Sequence, residues 1–399
     1  MERRLVLWGG LAAAALPSAI GVGWIFSLPP APRAGTAAPI AQDEADAALA
    51  ALKPPKRRRP LIAILGANAG TEVTDYLMPF GILRRAGVAD VVALGTEPGP
   101  LTLYPALKVE PEATIAEFDA RHPEGADHVV VPAMRRDDDP AVLRWIRGQA
   151  GKGATIIGVC AGAKIVAASG LLNGKRATTH WYYLGELRER HPNVRYVADR
   201  RLVVDAGVAT TTGITASMPM SLTLIEAIAG RERADVVGRD LGLARWDAGH
   251  DSGAFALTRP FALTAVGNRL AFWNHERLGL PLAPGVDEVS LALVADAWSR
   301  TYRSSAVTFA ETAAAQRSRG GIRIIPEQVA TSWPAERLLP AIEGLPPARA
   351  LDRALQGIAN RYGTRTADFV AMQLEYPKDG AMLQAQAMGS ARLWREPGF

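Results

Sequence analysis

Thr155 to Trp181 reads T-I-I-G-V-C-A-G-A-K-I-V-A-A-S-G-L-L-N-G-K-R-A-T-T-H-W, and this stretch decides the fold. Thr155, Ile156 and Ile157, all β-branched, lead into Gly158-Val159-Cys160-Ala161-Gly162. Lys164 to Ser169 then has helix-forming composition, and Gly170 ends it. The order is strand, sharp turn, helix. A nucleophile carried at such a turn stands at the carboxyl edge of a sheet, and glycines two residues to either side permit the strained backbone and close packing of an elbow. The helix N-terminus beneath favours the thiolate, the form of cysteine that does chemistry. A buried cysteine in a glycine-punctuated turn would show the same G-x-C-x-G spacing, so the context must decide.

Upstream, Leu61-Ile62-Ala63-Ile64-Leu65 is a short apolar run between Pro60 and Gly66, the pattern of a strand buried on both faces. Helical composition follows from Val73 to Ala86, then Val91 to Leu94, then His128 to Val131, then a helix through Val142, Trp145 and Ile146. Strands alternating with helices at this spacing predict an α/β fold, a flavodoxin-like parallel sheet sandwiched by helices. Ligands of such sheets bind beyond the carboxyl ends of the strands, where the turn after the first strand and the turn holding Cys160 both lie.

The flanks read as separate units. Leu5 to Leu28 is an uncharged run behind Met1-Glu2-Arg3-Arg4, long enough for a helix to span hydrocarbon. Residues 1–30 are therefore expected to be an uncleaved, single-pass transmembrane anchor. The flanking arginines place the body outside the cytoplasm, as in a periplasmic domain. Residues 31–58, rich in alanine and proline, read as a linker with one short helix over Gln42 to Leu52, and Lys56 to Arg59 as a solvated charge run. Residues 233–280 read as a connecting segment in which Trp246, Phe255, Phe261, Phe272 and Trp273 pack. Beyond it, a shift of 215 positions lays Gly70 on Gly285, Glu72 on Asp287, Arg85 on Arg300, Val92 on Val307, Pro111 on Pro326 and Glu112 on Glu327. Residues 281–399 are accordingly expected to be a second, degenerate α/β domain, catalytically silent because Ser290 replaces Asp75 and no second cysteine exists.

V-C-A-G-A followed by G-L-L-N-G-K-R-A-T-T-H-W closely resembles the cysteine elbow of the ThiJ/PfpI family, within the class I glutamine-amidotransferase-like superfamily. Gly70-Thr71-Glu72-Val73-Thr74-Asp75 with the helix ending Arg84-Arg85-Ala86-Gly87 is a second match. Thr210 to Ser217 with the helix Met218 to Gly230 is a third, so the resemblance covers about residues 59–232. It implies that His180 of the T-T-H segment lies near the cysteine and that Asp75 is the acidic residue facing it. The backbone N–H groups of Ala161 and Gly162 are then the expected oxyanion donors.

One cysteine excludes an intramolecular disulfide and a cysteine-rich metal site, and the six histidines show neither H-x-H nor H-E-x-x-H spacing. No metal is expected. Nucleotide-binding glycine motifs are missing, so no cofactor is expected either. The net charge of +5 comes from dispersed arginines without a binding motif, which excludes a nucleic-acid partner. Glutaminases of the superfamily use an H-x-E arrangement, and residues 205 to 230 contain no histidine. What remains is attack of the thiolate on a small electrophile with Asp75 shuttling a proton, as in glyoxalase-like, deglycase-like or isocyanide-hydratase-like relatives. Hydratase relatives and family-related regulators carry a hydroxyl residue where this chain has Ala161, and residues 340–399 hold no helix-turn-helix pattern. Lys164 is expected to snorkel to solvent. The expected partners are a small-molecule substrate or ligand, a membrane through residues 5–28, and a second copy of the chain as a homodimer. The alternative is a non-enzymatic, membrane-tethered redox or ligand sensor using the same cysteine.

Overall fold

Leu61–Gly66 (β1) is buried along its whole length in the computed structural model, which describes residues 21–376 apart from positions 22, 33, 34 and 36. Such burial demands cover on both faces, and the chain supplies it by returning to the sheet through helices. After β1 comes Val73–Ala86 (α1), whose first turn is capped by the Glu72 side chain and whose end is closed by Gly87 at φ 69°. Asp90–Gly95 (β2) follows, then a hairpin of Leu101–Tyr104 (β3) and Lys108–Glu110 (β4), then Ala113–Thr114 (β5). His128–Val131 (β6), Pro140–Gly151 (α2), Thr155–Gly158 (β7) and Gly162–Ala168 (α3) carry the chain to the elbow. Leu202–Asp205 (β8), Val208–Thr211 (β9) and Ser217–Ala229 (α4) complete the first unit.

These strands form one seven-stranded sheet in the order β8-β9-β7-β6-β1-β2-β5. All neighbours are parallel except β8, which runs antiparallel to β9. The register sets Val131 beside Gly158 and Gly158 beside Thr210, so the carboxyl ends of β6, β7 and β9 surround the elbow. Apolar side chains pack on both faces, with Val142, Trp145 and Ile146 of α2 closing one and α1 and α4 closing the other. The expected α/β, flavodoxin-like architecture is therefore present.

A second group of elements, beyond residue 275, meets the first at α1. Glu276–Pro281 (β10), Glu288–Ser299 (α5), Ser304–Ala310 (β11), Arg323–Ile325 (β12) and Gln328–Val329 (β13) start at, or one residue from, the positions 215 beyond β1, α1, β2, β4 and β5. β10, β11 and β13 make a three-stranded parallel sheet, and β12 pairs antiparallel with β4, joining the units. Pro347–Tyr362 (α6) lays Leu351, Ala354 and Ile358 inward, and Thr364–Gln373 (α7) follows it.

Two expectations need correction. No helix among the described residues is long and apolar enough to cross a membrane, which overturns the single-pass, periplasmic placement. Most of the run 5–28 lies outside the described residues. The basic run is exposed at Lys56, Arg58 and Arg59, as expected, and is also paired: Arg57 with Asp127 at 2.8 Å, Arg59 with Asp90 at 2.8 Å, and the Lys56 ammonium donates to the Glu124 and Lys152 carbonyls. Nearby, the helix Gln42–Ala51 docks through Leu52, which is buried, and through a fork from Arg200 to Glu44. Phe272 and Trp273 do not pack but stand 71% and 70% exposed.

Candidate active site around Cys160

The elbow is built as its glycines require. Cys160 sits at φ 57°, a left-handed conformation costing a non-glycine residue about 1–2 kcal/mol. The structure around it is fixed by threonines from both flanking motifs. The Cys160 N–H donates to Thr211 Oγ1 at 3.2 Å, and Thr179 Oγ1 donates to the Cys160 carbonyl at 3.0 Å. A Cβ on Gly162 would fall 2.0 Å from the Val131 carbonyl oxygen, and one on Gly158 would meet the Ala163 backbone at 2.9 Å. Both glycines are thus dictated by the approach of the helix to the sheet edge. The Gly162 N–H is already spent on the Val159 carbonyl at 2.7 Å, whereas the Ala161 N–H is directed to the Cys160 sulfur.

Asp75, in the first turn of α1, is fully buried beside the cysteine. Its Oδ2 accepts the Ala133 N–H at 3.1 Å, and its Oδ1 has no partner. Burial and then Glu72 push the Asp75 carboxyl well above the usual range. Glu72 Oε2 accepts the Asp75 N–H at 2.6 Å and the Thr74 hydroxyl at 2.7 Å, while Glu72 Oε1 takes Arg300 at 2.8 Å.

Cys160 is also pushed well above an ordinary thiol, first by burial and then by Asp75, Glu72 and Glu375. The expectation of a thiolate favoured by the helix N-terminus is therefore corrected. The helix has only seven residues, and desolvation with three nearby carboxylates outweighs its terminus. Burial shifts Asp75 and Cys160 in the same direction, so each is harder to ionise than it would be in water.

His180 is buried close by, but both ring nitrogens are engaged. Nε2 faces the Gln373 carbonyl at 2.9 Å, which can only accept, and Nδ1 takes the Tyr182 N–H at 3.1 Å. Burial lowers its pKa against the pull of Glu375, so the imidazole is neutral. It joins the elbow to the end of α7. Lys164 does not snorkel: it is buried between Asp137 at 3.0 Å and Glu186 at 2.8 Å, over the Tyr183 ring.

Sequence reasoning missed Glu72, Asp296, Arg300 and Glu375. Burial pushes Glu375 up, but His180, His250 and the N–H groups of Trp181 and Gly213 outweigh it and hold the carboxyl below its usual value. No sequence signal marks Glu375, which follows α7; Arg300 was visible only as the repeat mate of Arg85. Among the described residues no three His, Cys, Asp or Glu side chains converge in a metal-holding group. A cavity of about 520 Å³ lies elsewhere, beside Arg201, His250, Phe255, Phe261 and Phe369, and Cys160 does not line it.

A parallel sheet with a cysteine elbow and a buried facing carboxylate defines a class, and comparison with known proteins gives the same answer. The DJ-1/PfpI family profile matches residues 61–227. Isonitrile hydratase of Pseudomonas putida is 31% identical over 175 residues, covering 43% of this chain and 73% of that one. The Parkinson disease protein 7 homolog of Danio rerio is 27% identical over 171 residues, covering 41% of this chain and 88% of the other. Among solved structures, Drosophila melanogaster DJ-1beta aligns with a TM-score of 0.42 at 23% identity, over 47% of this chain and all of that one. The chain belongs to the DJ-1/PfpI family.

Proposed function

We propose that Cys160 is the covalent nucleophile of an enzyme acting on a small electrophile, with Asp75 as its proton shuttle, and that isocyanides are the first substrate class to test. The observation that carries this is the unpartnered, buried Asp75 Oδ1 beside a cysteine held in a strained elbow. The similarity to isonitrile hydratase supports the substrate class, and the hydroxyl missing at Ala161 weighs against it. In this reading sulfur adds to the terminal isocyanide carbon, Asp75 delivers a proton to that carbon, and the thiol proton replaces the one Asp75 gave. Water then adds across the carbon–nitrogen bond of the thioimidate, sulfur leaves with a proton, and a formamide is released without net oxidation or reduction. The Ala161 N–H faces the sulfur, and His180 positions the elbow rather than moving protons. The same pair would add sulfur to an aldehyde carbon as a hemithioacetal, which is the glyoxalase-like or deglycase-like reading.

The segment from β10 to β13 is, in the same proposal, a degenerate and catalytically silent copy of the first unit. Since α5 covers α1, a homodimer must use another face. The sensor alternative draws on the same buried thiol, and the enzyme reading is preferred because the unpartnered Asp75 Oδ1 offers a proton carrier that a sensor does not need. The test is turnover by the full chain on an alkyl isocyanide, methylglyoxal and glutamine. Formamide production abolished by Cys160→Ala supports the hydratase reading. Consumption of methylglyoxal alone moves the assignment to aldehydes, and no turnover on any of the three refutes the enzyme reading.

A further inference from the structure

The contacts between the two units obey a rule that ordinary domain packing does not. Arg300 pairs with Glu72 at 2.8 Å, and Arg85 pairs with Asp287 at 2.9 Å. Adding 215 to 72 and 85 gives 287 and 300, so each ion pair is the mate of the other. β4 and β12 pair antiparallel about Val109 and Ile324, which are themselves 215 positions apart. In a two-fold interface residue i meets j and j meets i, and this is that pattern inside one chain.

The mirror is broken in one direction. The mate of Asp75 is Ser290, and the mate of Gly81 is Asp296. Arg300 consequently lies between Glu72 and Asp296, the latter at 2.6 Å, whereas Arg85 faces Asp287 and the half-exposed Asp240. We infer that the second unit is a built-in partner and that its Arg300 is a positioning residue for the Cys160–Asp75 pair, acting through Glu72. This rests on the nucleophile reading above. Glu72 holds the Asp75 N–H and the Thr74 hydroxyl, so it fixes the turn from which Asp75 faces the sulfur. Arg300 holds Glu72 in turn, and it supplies positive charge where Glu72 and Asp75 of the first unit, Asp296 of α5 and Glu375 after α7 converge. His180 and Tyr183 border the same site from the elbow side, and the Tyr104 ring lies 6.0 Å from the Arg300 guanidinium. Arg300 also lowers the Asp75 carboxyl against the burial and Glu72 that raise it.

The pseudo-symmetry provides its own control. Arg300→Gln and Arg85→Gln each remove one mate of the same ion-pair set from the full chain. The readout is the pH midpoint of Cys160 alkylation by iodoacetamide, followed by intact mass, beside Tm. Both variants should lower Tm. Only Arg300→Gln should raise the Cys160 midpoint, by about half a unit or more, because Glu72, which already raises the thiol, then stands without its cation. If Arg300→Gln does not fold, Arg300→Lys replaces it: lysine keeps the charge but lacks the planar fork that spans two carboxylates, so a smaller rise is expected. An unchanged midpoint in the Arg300 variant, or an equal rise in Arg85→Gln, overturns the inference. Alkylation needs no substrate, so a shifted midpoint in a chain that turns nothing over would refute the enzyme reading while leaving this one standing.

Discussion

Replacing Asp75 with asparagine should make Cys160 more reactive and the protein less active. Asp75 is the first electrostatic cause, after burial, of the raised thiol. A carboxylate close to a titrating group typically moves it by about 1–3 units, and each unit is about 1.4 kcal/mol. Asparagine has nearly the same shape, can keep the Ala133 N–H bond through its oxygen, and places an N–H donor where Oδ1 has no partner. The Cys160 midpoint should therefore fall by about 1–2 units, and alkylation at pH 8 should quicken by about tenfold. Wild-type Cys160 should label only above the pH at which an ordinary thiol does. The chain has one cysteine, so iodoacetamide alkylation read by intact mass reports that site alone. Cys160 is only 4% exposed, but access is the same in both proteins and cancels in the ratio. Turnover should drop in the same variant, because the proton carrier is gone. A midpoint that stays put or rises in Asp75→Asn would refute the account of the pair.

Gly162→Ala should destabilise by about 3 kcal/mol, since its methyl would fall 2.0 Å from the Val131 oxygen; an unchanged Tm would show the elbow is not so tightly packed. His180→Ala leaves the Tyr182 N–H and the Gln373 carbonyl without their partner, so it should lower Tm while moving the Cys160 midpoint less than Asp75→Asn does and leaving residual turnover. His128, fully buried and lowered by desolvation to about 4 from 6.5, is neutral in the fold, while the unfolded chain takes up a proton below 6.5. Its contribution is complete above pH 6.5 and is lost as pH falls towards 4, about 3 kcal/mol from a shift of about 2.5 units. Urea unfolding of His128→Asn should lose less stability than wild type between those pH values, and parallel curves would exclude the assignment.

Local sequence determined the parts whose physics is local. A buried strand needs a short apolar run, a strand-to-helix elbow needs small residues beside a left-handed position, and a helix needs an apolar stripe, so β1, β7, α2 and the turn at Cys160 could be read directly. Asp75 followed from family register, and the 215-residue spacing that links residues 70–112 to 285–327 was legible as a periodicity. What tertiary structure alone decided is the state of the site. Glu72 meets Arg300 across 228 positions and Trp181 meets Glu375 across 194, separations at which no periodicity survives. The sequence puts a helix N-terminus beneath Cys160 and so suggests a thiolate. The fold buries the sulfur with three carboxylates from two distant segments and reverses the sign. Desolvation and charge depend on everything within a few ångströms, and only the folded chain determines what that is.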